Sequence, residues 1–247
     1  MEGMTIPKIN LHIHSIYSDG RNKIETIVKR ADKLNFKFIA ITDHFSNSWK
    51  AGVIKTLDSH IKINNYLEKI SDQNEDLQAK DSNLRVLKGI EIDLGSSRRY
   101  IESLINPSKF DLILLEYLHS PETMGFVRNI LKNWEIRLQK QSQSFPLLGL
   151  AHFDPSRFIY SNVEVLLEFL QKHNIYFEFN SAYSSYYSVK YKESFFDKFN
   201  DFNILVGMGA DAHSVNELDL IHEPLDMIKY YNLEPNLEKL IYKLECI

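Results

Sequence analysis

Residues 9–20 read INLHIHSIYSDG, and how the two histidines in that stretch are read decides the fold. Lys8–His14 is of strand length, and His12 and His14 stand two positions apart at its end. Residues i and i+2 of a strand share a face, so the two imidazoles stand side by side. Charged, they repel; neutral, they pack poorly. A divalent cation between them removes the conflict. Asp19 follows in the next loop, an acid close to the same strand end. An isolated HxH also fits two ordinary polar residues, so the remaining chain must decide.

Outward from this stretch the same pattern repeats. Strands are predicted at Lys8–His14, Phe36–Thr42, Arg85–Asp93, Phe110–His119, Leu147–His152, Ile175–Asn180 and Ile204–Asp211, each rich in β-branched or aromatic residues. Amphipathic stretches separate them: 23–35, with Ile24, Ile27, Val28, Ala31 and Leu34 on one stripe, then 59–70, 126–140, 163–174 and 193–203. A last helix is expected over Asn236–Leu244, and the polar Ser71–Asn83 reads as an exposed helix end and loop. No Pro/Gly/Ser-rich linker interrupts the alternation, which predicts one α/β barrel-like domain over 1–247. A doubly wound sheet stays open, although neither GxGxxG nor GxxxxGK[ST] follows the first strand.

Composition excludes several classes. The chain has 247 residues, 44% hydrophobic and 25% charged, with a formal net charge of −4. No global basic field draws it to nucleic acid or a membrane surface. The single cysteine, Cys246, can close no internal disulfide and fits a reducing cytosol. No apolar run approaches the roughly 18 residues of a membrane span, and MEGMTIPKIN lacks the layout of a secretory signal. A cytoplasmic location is therefore expected.

The ligand-type residues fall on strand ends, which in an α/β barrel form the active-site face. His12 and His14 end the first strand and His44 the second, in ITDHF. Glu91 lies near the end of the third, in KGIEIDLG; His119 ends the fourth and His152 the fifth, in LGLAHFD. Asp211 and His213 end the seventh in GMGADAHS, again two apart. Six of the nine histidines, with Asp19, Glu91 and Asp211, are thus predicted to share one rim. His60 and His173 on helices and His222 in a late loop are read as solvated side chains.

The order HxHS…SDG, TDH, GxE, a fourth-strand histidine, AH and DAHS resembles the polymerase-and-histidinol-phosphatase (PHP) superfamily of metal-dependent phosphoesterases, from Lys8 to Ser214. The resemblance implies a distorted (β/α)7 TIM-like barrel holding two or three divalent ions, usually zinc, manganese or iron. Carried over, His12, His14 and Asp211 would hold the first ion and Glu91 would bridge it to the second. His119 and His152 would complete the second, and Asp19, His44 and His213 would hold the third. Asp19, Glu91 and Asp211 would serve catalysis through these ions.

Such a site suits hydrolysis of a small-molecule phosphate monoester by a metal-bridging hydroxide, with the cations neutralising the phosphoryl oxygens. Arg157, in HFDPSRF, is the leading candidate for a phosphate clamp, and Arg98 and Arg99 come next. Ser15 reads as a hydrogen-bonding neighbour rather than a nucleophile, and Asp43 as an orienting or structural carboxylate. Glu178 and Asn180 either shape the substrate pocket or satisfy the barrel interior. The aromatics of 180–196 either wall an aromatic substrate or pack the core. Histidinol phosphate is the leading named substrate, with nucleotide and sugar phosphates open. An amidohydrolase and a non-catalytic RNA- or protein-associated module are the competing readings. The oligomeric state is not legible.

Overall fold

The computed structural model describes residues 6–154, 162–190 and 193–247. Eight parallel strands run through it: β1 (Ile9–Ile13), β2 (Phe38–Ile41), β3 (His44–Phe45), β4 (Arg85–Asp93), β5 (Leu112–Glu116), β6 (Leu147–Leu150), β7 (Ile175–Asn180) and β8 (Val206–Gly209). The sheet order is β1-β2-β4-β5-β6-β7-β8, with β3 also on β4. β2 pairs with the first half of β4 (Phe38 opposite Arg85) and β3 with the second (His44 opposite Glu91), in one continuous register. They are one strand position interrupted at Thr42–Asp43, so the barrel has the seven positions expected. Ala212, beyond β8, bonds back to β1 through His14 N–Ala212 O (2.9 Å) and Ala212 N–His12 O (3.1 Å), which nearly closes the ring.

Parallel strands are covered on both faces, so they read as continuous apolar runs; all five residues of LILLE in β5 are buried. The barrel floor shows how side-chain size sets the packing. Tyr176 of β7 projects between Gly149 of β6 and Gly207 of β8. A Cβ on Gly149 would lie 2.4 Å from the Tyr176 ring, and one on Gly207 2.8 Å. Only glycine on both flanking strands admits that ring.

Helices cover the outside: α1 (Ile24–Lys33), α2 (His60–Gln78), α3 (Arg98–Leu104), α4 (Pro121–Gln141), α5 (Val163–Lys172), α6 (Ser185–Ser188), α7 (Glu193–Asp201), α8 (His222–Tyr230) and α9 (Glu234–Cys246). Of the predicted stripe, Ile24, Ile27, Val28 and Ala31 are buried in α1, and Leu34, just past its end, is half-buried. The polar stretch after Ile70 stays helical to Gln78, further than its composition suggests. Asn74 explains this: its amide donates to Val86 O (2.7 Å) and accepts from Val86 N (2.9 Å), docking the helix on β4. α4 starts five residues before the predicted 126, where the Ser120 hydroxyl accepts from Thr123 N and Pro121 takes the first turn. Among the described residues no helix is long and apolar enough to cross a membrane.

Candidate metal centre

The C-terminal mouth of the barrel gathers the predicted side chains. His12 lies on β1 and His14 just beyond it; their Nε2 atoms are 3.1 Å apart. Asp211, past β8, puts Oδ1 2.8 Å from His14 Nε2 and 3.4 Å from His12 Nε2. Glu91, fully buried on β4, points between them: Oε1 is 3.4 Å from His12 Nε2 and 3.1 Å from His152 Nε2. Its Oε2 is 2.7 Å from His44 Nδ1. On the outer side, Asp19 Oδ2 lies 3.2 Å from His213 Nε2 and 3.6 Å from His44 Nε2. The rings stack, His14 on His44 at 4.4 Å and on His213 at 4.6 Å between centroids.

Two of the rings are aimed by partners behind them, and a third is held through its backbone. Glu178 Oε1 is 2.9 Å from His12 Nδ1, and Glu178 Oε2 accepts from His152 N (2.7 Å). His213 Nδ1 is 2.8 Å from Asp211 O, which places its N–H there and turns Nε2 towards Asp19. Asp43 accepts from Ser15 N (2.8 Å), Ser15 Oγ (2.6 Å) and Ser18 N (3.0 Å), tying down the loop that carries Asp19. Ser15 is thus engaged with Asp43, the hydrogen-bonding role read from the sequence.

The backbone is strained at the same rim. Tyr117, His152 and Asp211, which follow β5, β6 and β8, have φ of 67°, 23° and 48°. Non-glycine residues there cost about 1–3 kcal/mol each and persist where the surroundings dictate them.

The arrangement fits cations better than hydrogen bonds alone. Donors about 2.0–2.1 Å from a tetrahedral zinc stand about 3.3 Å from one another, close to the spacings above. Among the described residues there are four sets whose donor atoms lie within 4.8 Å of one another: His14–Asp19–His44–His213, His12–Glu91–His152, His12–His14–Asp211 and His44–Glu91–Glu116. His44 Nδ1 and Glu91 Oε2 are buried 2.7 Å apart, and among the described residues neither has a well-formed hydrogen bond. A buried imidazole nitrogen and carboxylate oxygen so placed suit a shared cation. Nitrogen and oxygen donors without thiolate suit zinc, manganese or iron.

Electrostatics agree. Burial alone would raise the carboxyls, but the surrounding imidazoles hold Glu91, Asp19 and Asp211 below the usual carboxylate range. Burial likewise opposes charge on His44, yet Glu91, with Asp19, pushes it up to about 10. The acids are ionised and ready to bind cations.

A family model described as "PHP domain" matches residues 10–182. The chain belongs to the PHP domain family. Among solved structures, this PHP domain resembles histidinol phosphate phosphatase from Lactococcus lactis, complexed with zinc, L-histidinol and phosphate. The TM-score is 0.60 at 14% identity, over 92% of this chain and 94% of that one. A chain from the structures of YwqE from Bacillus subtilis and CpsB from Streptococcus pneumoniae, metal-dependent tyrosine phosphatases, gives 0.53 at 19% identity over 90% and 86%. These likenesses concern the fold. Among curated sequences, the DNA polymerase/3'-5' exonuclease PolX of Bacillus subtilis is 24% identical over 224 residues, 86% of this chain but 35% of that protein. The PHP chain thus spans about a third of that relative's length.

Some predicted members of the PHP site are placed differently. β5 stops at Glu116, and the left-handed Tyr117 turns the chain, so His119 lies beyond the strand rather than at its end. His119 belongs to none of the four donor sets among the described residues. It lines, with His152, Asp154, Tyr117, Tyr183 and Tyr186, a cleft of about 160 Å³ beside the cluster. Arg157 lies outside the described residues. Arg98 is at the start of α3, paired with Glu102 (2.7 Å) and exposed. Of the aromatics after β7, Tyr183 stacks on His152 at 4.5 Å, whereas Phe195, Phe196 and Phe199 pack in the core. His60, His173 and His222 stand away from the mouth, on α2, at the end of α5 and on α8.

Three site residues escaped the sequence reading. Glu178, which from the sequence fits either the pocket or the interior, is the support behind His12 and His152. Glu116, with Oε1 3.7 Å from His152 Nε2, and Lys50, 2.6 Å from both Glu116 oxygens, were not singled out at all. An acid at the end of β5 was the available signal for Glu116. Nothing in WKAG marked Lys50.

Proposed function

We propose that residues 1–247 form one catalytic unit, a metal-dependent phosphoesterase hydrolysing a phosphate monoester of a small molecule. The observation that supports this reading most is the convergence of His12, His14, Asp19, His44, Glu91, His152, Asp211 and His213 at one mouth, with donor spacings of metal ligands. His12, His14 and Asp211 would hold a first ion, Glu91 and His152 a second, and Asp19, His44 and His213 a third. His119, which lines the same cleft as His152, would complete the second. When bound, the ions supply an activated water at neutral pH and positive charge for the phosphoryl oxygens.

The chain's own residues do the rest. Glu91 and Asp211 spread negative charge between the imidazoles and hold the positions fixed. Glu178 keeps the His12 lone pair turned inward, and Asp43 keeps the Asp19 loop in place. The cleft beside His152 is walled by Tyr117, Tyr183 and Tyr186 and suits a planar leaving group stacked on tyrosine. Histidinol phosphate and tyrosine phosphate are therefore the first substrates to assay.

The test is elemental analysis of the purified chain, with hydrolysis of a generic aryl phosphate before and after chelation. Two or three equivalents of metal with turnover that chelation abolishes and metal restores are expected. A chain that binds no metal on reconstitution overturns the reading.

A further inference from the structure

Lys50 is the one lysine or arginine buried among the described residues, and it is buried against the metal cluster. Taking an ammonium out of water costs several kcal/mol, and a buried ion pair seldom repays more than that in stability. Its position is nevertheless built with care. Lys50 rides on a short 3-10 turn (Trp49–Gly52) three residues after β3. Ser46 Oγ (2.7 Å) and Ser48 Oγ both donate to Asp93 Oδ2, and Ser48 Oγ in turn accepts from Lys50 N (3.3 Å).

From that turn the Lys50 ammonium reaches Glu116, donating to both carboxylate oxygens at 2.6 Å, with the Tyr117 ring 5.1 Å away. An ammonium has three N–H donors, and among the described residues two of them are taken, both by Glu116. Glu116 is in turn 3.7 Å from His152 Nε2 and shares a donor set with His44 and Glu91. The ammonium therefore stands one carboxylate away from the centre where a phosphoryl group would sit. The paired contacts to Glu116 hold the ammonium in one place, which suits a fixed cation.

We propose that Lys50 is a further phosphoryl-binding residue, whose remaining N–H grips a non-bridging oxygen of the substrate, with Glu116 as its positioning residue. This rests on the phosphoesterase reading. It adds to the metals a cation that the chain itself carries, placed where charge accumulates in the transition state. The rival arrangement is a plug, in which Lys50 fills a cation position that a metal on His44, Glu91 and Glu116 takes over.

The test uses the full metal-loaded chain as wild type, Lys50→Met and the double variant Lys50→Met/Glu116→Gln, which leaves no unpaired buried carboxylate should the single variant misfold. Metal equivalents per chain, inorganic phosphate binding by calorimetry, and KM and kcat for an aryl phosphate are measured. Expected are unchanged metal content and phosphate binding weaker by about 10–100-fold in both variants, the loss of one charge-assisted hydrogen bond. Wild-type phosphate affinity in a folded variant overturns the proposal. So does an added equivalent of metal with affinity retained, which makes Lys50 a plug. A wild-type chain that takes up no metal overturns the phosphoesterase reading itself, a result recognisable before any variant is made.

Discussion

Glu178 Oε1 stands 2.9 Å from His12 Nδ1, and this pair fixes which lone pair of His12 faces the centre. With the ring N–H held at Nδ1, Nε2 is left open towards Glu91 and Asp211, both at 3.4 Å. The same carboxylate holds the backbone of His152 in its left-handed conformation. Glu178→Gln keeps the shape but offers an amide that can present N–H to the ring. Partners behind metal-binding histidines are worth about 10–100-fold in metal affinity. A loss in that range is expected by competition with a fluorescent chelator, with the fold retained by circular dichroism. Undiminished affinity would show that His12 needs no such support.

Replacing His14 or Asp211 by alanine removes a donor from one of the closest contacts of the cluster, 2.8 Å. Each variant is expected to lose at least one equivalent of metal and more than about 100-fold in turnover, since an activated water and charge neutralisation depend on the ions. Full metal content together with full turnover in either would remove that residue from the ligand set.

The loop carrying Asp19 hangs on Asp43, a fully buried carboxylate that accepts from two backbone amides and two hydroxyls. Asp43→Ala strands those donors, and each buried unsatisfied group costs about 1–3 kcal/mol. A loss of about 3 kcal/mol or more in denaturant unfolding is expected, with the ion held by Asp19 lost first. A variant as stable as wild type would mean that water replaces the carboxylate without cost.

How far the site could be read in the sequence follows from the range of each signal. HIH and DAH are legible because strand spacing alone puts i and i+2 on one face. Asp19, His44, Glu91 and His152 are legible because strand ends share a rim. Glu178 was not, because its role depends on β7 lying one strand from the β8–β1 closure, with its side chain passing Gly209 to reach His12. The end of β5 was misplaced for a local reason: YLH continues the apolar pattern, and only the backbone at Tyr117 shows that the strand has stopped. The stretch Ser71–Asn83 reads as an exposed helix end and loop because composition cannot show the two bonds from Asn74 to Val86. The polar loop after β3 hid Lys50 for the same reason.

Gly209 offers a test of how tightly the support behind the site is packed. A Cβ there would lie 2.0 Å from Glu178 Oε1 and 2.8 Å from His12 Cβ. Gly209→Ala must push Glu178 off His12 or separate β8 from β1. Overpacking of this kind costs about 1–3 kcal/mol. A lowered melting temperature together with weakened metal binding is expected; a lowered melting temperature alone would mean that the strands yield and Glu178 stays in place.

Acidity gives a last prediction with a definite sign. In the chelated protein the His44 pKa is raised to about 10, because Glu91 and Asp19 outweigh the effect of burial. A group whose folded pKa exceeds its unfolded value stabilises fully below the unfolded one and ceases to do so above the folded one. The chelated protein is therefore expected to lose stability between about pH 6.5 and pH 10. Glu91 and Asp211 work in the opposite sense, but their depressed values confine that change to acid. A metal ion replaces the proton on His44, so uptake releases protons and removes the alkaline decline. Melting temperatures of chelated and reconstituted protein at about pH 6.5 and pH 9.5 decide the matter. The chelated form should fall between the two and the loaded form should not; a parallel fall in both would mean that His44 keeps its proton and binds no ion.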